Sequence, residues 1–290
     1  MKDRIINRHP CFSSDGHGKF GRIHLAIAPR CNIQCAYCLR KYDCANESRP
    51  GITSKVLSPQ EAIERVSMML DRHDKITVIG VAGPGDPLAN DETFETLYRI
   101  NREFPYITSC ISTNGLLLTE RLGELVECGV KSLTVTINAV KSHTAESIYK
   151  WIYYKGKRYT GLEAGEIMIL QQWRGLRNAI DAGFIMKVNS VYCPTINDED
   201  IPEIAKSAGA LGAEVMNIIP LLPQSDLSHL NRPSREQLHK MRFELSPYIR
   251  QMTHCHQCRA DACGTLGEDI DMELEMLYGK IQEEYCDVVN

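Results

Sequence analysis

The stretch Cys31-Asn-Ile-Gln-Cys35-Ala-Tyr-Cys38 sets three thiols close together, and Arg40, Asp43 and Cys44 follow at once. Iron–sulfur clusters of the 4Fe–4S type take four thiolates as a rule, so a set of three leaves one iron open. A catalytic zinc keeps a free position in the same way, where a structural zinc does not. An open iron can bind amino and carboxylate groups and pass an electron to the molecule that carries them, a hard step that proteins leave to cofactors. The plain alternative is a zinc knot or a buried thiol cluster. Zinc ligands come as paired C-x2-C or C/H sets, and a lone C-x3-C-x2-C fits them poorly.

Bulk properties bound what such a site serves. At 290 residues the chain is long enough for one large core or two modest ones. Hydrophobic content of 43% and charged content of 24% are ordinary for a globular protein. The net charge of −4 offers no broad basic surface, which argues against nucleic acid as the main substrate. Twelve cysteines are many for an intracellular enzyme, yet too sparse for a small disulfide scaffold. The start, Met1-Lys-Asp-Arg-Ile-Ile-Asn-Arg-His-Pro10, has no apolar core of signal-peptide type. No apolar run approaches the roughly 18–20 residues a membrane helix needs. Reduced thiols in a cytoplasm, with no membrane partner, are the expectation.

Strand-like and helix-like segments alternate, the pattern of an α/β fold with a parallel sheet. Alternation predicts strands near 22–28, 76–82, 108–114, 132–139, 186–193 and 214–220. Helical periodicity fills 59–72, 92–103, 118–128, 163–182, 199–211 and 234–251. Six such units predict a partial (β/α)6 TIM-like barrel, open on one side relative to the eight-unit form. The chain reads as a single domain over 1–290, with a barrel core at about 20–225. An N-terminal segment, 1–20, and a C-terminal segment, 226–290 with a helical tail, flank it. The aromatic-rich excursion near 140–162 reads as a helical lid or a packed surface helix.

Side chains alternate along a strand, which separates a helix-facing side from a lumen-facing one. Ile23, Leu25 and Ile27 suit packing on helices, while Arg22, His24, Ala26 and Ala28 fall on the other face. Thr108, Cys110, Ser112 and Asn114 share a face, as do Thr134, Thr136 and Asn138, and Lys187, Asn189, Val191 and Cys193. Polar faces are costly in a barrel core unless hydrogen-bonded or filled by a ligand. The lumen therefore reads as a site.

After the second strand comes Val81-Ala-Gly-Pro-Gly-Asp-Pro87. Glycines at a strand's C-terminal end let the backbone approach a ligand, although alone such a string is an ordinary turn. Ser112-Thr113-Asn114-Gly115 ends the third strand, and Asn138 and Asn189 end or line the next two. Their hydroxyl and carboxamide groups suit ribose hydroxyls and a carboxylate. The triad spacing, Tyr37 before the third cysteine, and this turn one βα unit later together resemble the radical S-adenosylmethionine enzymes. The resemblance implies a 4Fe–4S cluster on Cys31, Cys35 and Cys38, with S-adenosylmethionine beside it. Gly83, Gly85 and Asp86 match the family's turn for the methionine amino group, with aspartate where glutamate is commoner. Tyr37, Ser112, Thr113, Asn114, Thr136, Asn138 and Asn189 are the other expected cofactor contacts.

Further ligand capacity lies outside the triad. Cys11, Cys44 and the inward-facing Cys110 and His24 make three thiolates and one imidazole, a sound ligand set for a second cluster. His254-Cys255-His-Gln-Cys258-Arg-Ala-Asp-Ala-Cys263 reads as a half zinc site, a redox dithiol or part of a third cluster. Taken singly, each of Cys11, Cys44, Cys110 and His24 reads as a small buried hydrophobe or a core histidine before it reads as a ligand.

Three strings carry a narrower resemblance. They are His9-Pro-Cys11-Phe, the triad with Arg40-Lys-Tyr-Asp-Cys44-Ala-Asn-Glu-Ser-Arg-Pro-Gly51, and Cys255-His-Gln-Cys258-Arg-Ala-Asp-Ala. Together they resemble the NifB-type nitrogenase cofactor biosynthesis proteins, from Arg8 to about Asp269. The resemblance implies an enzyme of lyase or transferase character acting in nitrogen fixation. Such an enzyme fuses two 4Fe–4S substrate clusters and inserts a carbide from the S-adenosylmethionine methyl group. The product is the 8Fe–9S–C precursor of the nitrogenase iron–molybdenum cofactor. One S-adenosylmethionine methylates a cluster sulfide, and a second yields a 5′-deoxyadenosyl radical that takes hydrogen from that methyl.

By the same resemblance, Cys31, Cys35 and Cys38 carry the radical chemistry, and Glu47 and Arg49 stand at the active-site mouth. Cys11, Cys44 and Cys110, with His24, hold one substrate cluster, while Cys255 and Cys258 grip the other. Cys263 stands where an aliphatic residue is usual and is carried as a further candidate ligand. Implied partners are an iron–sulfur cluster donor protein, an electron donor such as ferredoxin, and a product carrier or maturation scaffold complex. Many members continue into a small C-terminal carrier domain, whereas this chain reads as a stand-alone core ending at Asn290. Cys128, Cys193 and Cys286 match no motif and read as spare thiols, with Cys193 nearest the lumen. Two rivals remain: a radical enzyme modifying a peptide or small molecule with auxiliary electron-relay clusters, and a non-catalytic iron–sulfur scaffold.

Overall fold

The structure, a computed structural model, describes residues 2–46, 51–53 and 55–278. The first half of the chain forms α1 (Lys2–Arg8), β1 (Gly21–His24), β2 (Ile33–Cys35), α2 (Pro59–Arg72), β3 (Ile76–Val81), α3 (Asp91–Glu103), β4 (Thr108–Thr113), α4 (Leu118–Glu127) and β5 (Ser132–Thr136). There follow α5 (Ser142–Ile148), β6 (Tyr149–Tyr154), β7 (Lys157–Tyr159), α6 (Gly161–Asp181), β8 (Ile185–Tyr192), α7 (Asp200–Leu211), β9 (Val215–Pro220), α8 (Arg235–Leu245), β10 (Cys263–Thr265) and β11 (Glu268–Asp269).

The six expected strands are β1, β3, β4, β5, β8 and β9, parallel neighbours in that order. They make the α/β partial barrel that the alternation predicts. Ile23, Leu25, Ile79, Ile111, Leu133 and Val188 point outward and meet Val66, Leu97, Leu125 and Leu176 of the helices in one core. Each of these is wholly unexposed, and full burial of such a side chain contributes roughly 1.5–3 kcal/mol. Helix starts are set locally as well. Ser58 Oγ accepts from Glu61 N at 3.3 Å, and the Glu61 carboxylate accepts from Ser58 N at 2.9 Å, a reciprocal cap on α2. Among the described residues, no helix is long and apolar enough to cross a membrane.

The excursion over 140–162 is neither a helical lid nor a packed surface helix throughout. Only Ser142–Ile148 is helical, and the rest is the hairpin β6–β7. The run Tyr149-Lys-Trp-Ile-Tyr-Tyr154 is aromatic and β-branched, which favours a pleated, half-buried strand. Its turn, Lys155-Gly156, takes φ of 48° and 77°, the left-handed pair that a tight two-residue hairpin requires. β6 pairs antiparallel with β2, Ile33 opposite Ile152 and Cys35 opposite Tyr149. The excursion is thus the backing of the cysteine triad.

A second feature closes the open side of the barrel. Met216 of β9 donates its N–H to Arg250 O and accepts at its carbonyl from Met252 N, both at 2.8 Å. Further along, β10 pairs antiparallel with β1, with Cys263 opposite Ile23. A strap of residues 250–265 therefore joins the two end strands of the parallel six. It carries Cys255 and Cys258 across the gap between them. Phe12 packs with Ile185, Val215, Met252 and Leu266 in a small separate cluster that ties the N-terminal segment to this strap.

Candidate cluster-binding site

Two cavities hold most of the predicted ligands. The first is lined by Cys31, Cys35, Cys38, Cys44, Tyr37, Arg40, Asn46, Gly85, Asp86 and Asn114. Backbone pairing fixes its loop: Ala36 N donates to Ile148 O and Tyr153 N to Asn32 O, each at 2.7 Å. Gln34 Nε2 donates to Cys38 O at 2.8 Å, closing the turn between the thiols. Tyr37, 1% exposed, donates to Asn46 Oδ1 and accepts from Asn138 Nδ2 at 2.9 Å. Burial pushes Cys31 up to about 12 and Cys35 and Cys44 well above the ordinary thiol range, with Asp86 adding to the effect at Cys31. Iron binding must therefore displace protons from this set.

The glycine-rich turn borders the same cavity. Gly85 N donates to Ala28 O at 2.5 Å and Asp86 N to Arg30 O at 2.8 Å, so the turn lies directly against the segment entering the triad. The Asp86 carboxylate accepts from Leu88 N at 3.0 Å, Thr113 Oγ1 at 2.9 Å and Asn114 N at 2.6 Å. Asn114 Nδ2 in turn donates to Asn32 Oδ1 at 2.7 Å and lies 3.9 Å from Cys31 Sγ. These predicted cofactor contacts thus brace one another and the triad loop.

The second cavity is the lumen, lined by Cys11, Cys110, Cys255, Cys258, His24 and His9, with Arg22, Ser112, Lys187, Asn189 and Asn217 among the polar residues around them. Three of these candidate ligands, His24, Cys255 and Cys258, have a visible orienting partner. His24 Nδ1 lies 3.0 Å from Arg259 O, which puts the ring proton on Nδ1 and leaves the Nε2 lone pair free for a metal. Burial, then Arg22, lowers its pKa to about 4, so the ring is neutral. Cys255 Sγ accepts from Asn217 Nδ2 at 3.2 Å and Cys258 Sγ from Arg22 Nη2 at 3.1 Å. Ser112 Oγ is buried with no hydrogen-bond partner among the described residues, as expected of a group that awaits a ligand. Soft thiolates with one oriented imidazole suit iron–sulfur chemistry. Among the described residues, no three His, Cys, Asp or Glu side chains are grouped for a single metal ion.

Room for His24 comes from its strand neighbour, Gly80. A Cβ on Gly80 would stand 3.0 Å from His24 Cδ2 and 3.4 Å from Nε2. Gly80→Val is therefore expected to tilt the imidazole out of place and lower the iron bound in the lumen, with circular dichroism unchanged. Undiminished iron would show that His24 does not need this space.

Not every predicted residue joins these groups. Cys44 sits with the triad cavity, apart from Cys11, Cys110 and His24 of the lumen. Cys263 is unexposed on β10, packed in the main core and outside both cavities. Cys193 is unexposed in the core that backs the triad, and Cys128 is buried beside Phe94 O. Glu47 and Arg49 lie outside the described residues, as does Cys286. Thr136 is buried at the end of β5, its carbonyl accepting from Gln172 Nε2 at 2.8 Å. Asn189 lines the lumen and donates to Asn46 O at 3.2 Å, a hydrogen bond that joins the walls of the two cavities. Sequence reasoning overlooked Gln172, unexposed, whose Nε2 also donates to Asn114 O at 2.9 Å and lies 3.1 Å from Tyr149 Oη. Asn217 was overlooked too, although the alternation of β9 places it opposite Asn189.

Comparison with known proteins agrees with this geometry. The family model of the Radical SAM superfamily matches residues 25–208, more than half of the chain. The class is therefore that of the radical S-adenosylmethionine proteins. The FeMo cofactor biosynthesis protein NifB of Klebsiella pneumoniae is 44% identical over 276 residues, covering 93% of this chain and 59% of its own. NifB of Methanocaldococcus infernus is 44% identical over 266 residues, covering 91% of this chain and 87% of its own. The chain belongs to the NifB-type family of FeMo cofactor biosynthesis proteins. It spans 59% and 55% of the Klebsiella and Bradyrhizobium relatives. Streptococcus suis SuiB shares the fold alone, with a TM-score of 0.58 at 12% identity over 82% of this chain and 50% of its own.

Proposed function

We propose that this chain is a radical S-adenosylmethionine enzyme whose substrates are two 4Fe–4S clusters. It fuses them and inserts a carbide drawn from the S-adenosylmethionine methyl group, giving the 8Fe–9S–C precursor of the nitrogenase iron–molybdenum cofactor. The observation that carries this reading is the separate lumen set, Cys11, Cys110, Cys255, Cys258 and His24, one hydrogen bond away from the triad cavity. A peptide-modifying enzyme with auxiliary relay clusters would need soft ligands too, and the two readings part at their products. The resident cluster on Cys31, Cys35 and Cys38 supplies one-electron cleavage of S-adenosylmethionine when bound. The protein's own residues do the rest. Tyr37, Asn46 and Asn138 hold the triad loop, Asp86 holds Thr113 and Asn114 at the cofactor's edge, and the strap aims Cys255 and Cys258 inward.

In the same reading, residues 20–225 form the barrel, with segments 1–20 and 226–290 as its cluster-gripping extensions. Glu47 and Arg49 serve at the mouth, and Cys44 remains a candidate ligand, whereas Cys263, packed in the main core, does not. An iron–sulfur donor protein, a ferredoxin-like electron donor and a carrier or scaffold complex would serve it in a cytoplasm. The test is a reaction of reconstituted, dithionite-reduced protein with S-adenosylmethionine. The expected products are 5′-deoxyadenosine, S-adenosylhomocysteine and an extractable iron–sulfur–carbon cluster. A modified organic molecule with all iron retained would overturn the reading, and neither nucleoside product would leave a scaffold.

A further inference from the structure

His9 and His24 line the same cavity but present opposite chemical faces to it. His9 Nδ1 lies 3.1 Å from Cys11 N. A backbone N–H can only donate, so Nδ1 is the acceptor and the proton of the neutral ring sits on Nε2. At His24 the partner is a carbonyl, which can only accept, so the proton sits on Nδ1. One ring therefore offers a lone pair suited to iron. The other offers an N–H that cannot ligate but can donate.

His9 is 2% exposed and braced edge-on by Phe12, with ring centroids 4.7 Å apart. Its Nε2 is buried with no hydrogen-bond partner among the described residues. A buried donor left unpaired costs about 1–3 kcal/mol, so an acceptor that arrives with a ligand would remove a standing penalty. The thiols of Cys255 and Cys258 already accept from Asn217 and Arg22. An inorganic sulfide carried in with a cluster brings no donor of its own.

We propose that His9 is a substrate-contacting residue of the lumen, its Nε2–H donating a hydrogen bond to a sulfide of the iron–sulfur cluster held there. The inference rests on the proposed reading of the lumen as a cluster site. Hydrogen bonds to cluster sulfur are among the determinants of reduction potential, and this one raises it by stabilising the more negative, reduced state. It also orients one face of the cluster, because the His9 ring is fixed at both its nitrogen and its edge.

The test compares His9→Asn with His9→Gln in a Cys31/Cys35/Cys38→Ala background, where only lumen clusters titrate. Asparagine keeps an acceptor for Cys11 N–H but lacks the reach of Nε2, whereas the glutamine amide nitrogen reaches that position. Iron content is expected to be equal in all three proteins. The reduction equilibrium, followed by electron paramagnetic resonance, should fall about tenfold in His9→Asn, near 59 mV for one electron, and recover in His9→Gln. Equal potentials with full iron would overturn the role of His9 alone. Iron lost from both variants would make His9 a ligand instead, which also overturns it. No lumen iron in the parent would remove the cluster reading itself, and the proposal with it. Nitrogen-15 spectra of iron-free protein give a second check: an Nδ1–H tautomer at His9 would defeat the proposal without any variant.

Discussion

A chain with Cys31, Cys35 and Cys38 all replaced by alanine is expected to release no 5′-deoxyadenosine from S-adenosylmethionine, to lose one of its clusters, and to stay folded. The first two effects follow from the ligand set, because the Asn114 amide near Cys31 cannot replace a thiolate. The third follows from what holds the loop. Ala36 N to Ile148 O, Tyr153 N to Asn32 O and Asp226 N to Ala36 O are backbone bonds that alanine keeps. Cys35 and Cys38 are 5% and 8% exposed, and trimming each to alanine costs on the order of 1 kcal/mol. Iron quantitation, electron paramagnetic resonance and product chromatography on one preparation check all three parts. Nucleoside release at the wild-type rate would remove the triad from the chemistry. Iron lost from the lumen as well would mean that the two cavities load as one.

Gly85→Ala should be among the most damaging single changes outside the thiols. An added Cβ would fall 2.2 Å from Arg30 O, 2.6 Å from Arg30 C and 2.8 Å from Ala28 O. All three atoms are backbone, so no rotamer change relieves the overlap. Residues 28–30 would have to move away, and Cys31 follows them directly. A loss of about 3 kcal/mol or more is expected, a fall of roughly 6 °C or more in Tm, together with loss of S-adenosylmethionine cleavage. Gly123→Ala is the control, with nothing within 4 Å of its Cβ on the exposed side of α4. It should gain about 0.5–1 kcal/mol from helix propensity. Equal melting temperatures for Gly85→Ala and the wild type would show that the turn does not bear on the triad as its geometry says.

The barrel was legible because its signals are local. Alternation marked each of the six parallel strands, and apolar periodicity marked five helices to within two residues, whereas α8 ends at Leu245 rather than near 251, just before Pro247, and α1 and α5 went unmarked. The lumen face was legible for the same reason, since His24, Cys110 and Asn189 fall in phase on their strands. The hairpin β6–β7 was missed because Lys155 is an uncommon first residue for a left-handed turn, and only Gly156 advertised it. Its partner β2 is only three residues long, too short for any alternation to register. The place of Cys44 depends on a loop that folds back on the triad, and no periodicity reports such a return. The chemistry of His9 was hidden for a different reason. A ring's tautomer depends on what each nitrogen touches, and residue order alone does not state that.

The strap over 250–265 bears on solubility as well as on where Cys255 and Cys258 sit. An end strand presents a row of open N–H and C=O groups, a template on which another chain can grow a sheet. Here the row on β1 is paired by β10, and the row on β9 is met at Met216, by the same short stretch that carries Cys255 and Cys258. A cut or a frayed strap would uncover the β1 edge and free Met216 on the β9 edge at once. The placing of these two thiols and protection against intermolecular sheet growth are thus bound together in one piece of chain, and a protein that loses its grip on the one loses its shield in the other.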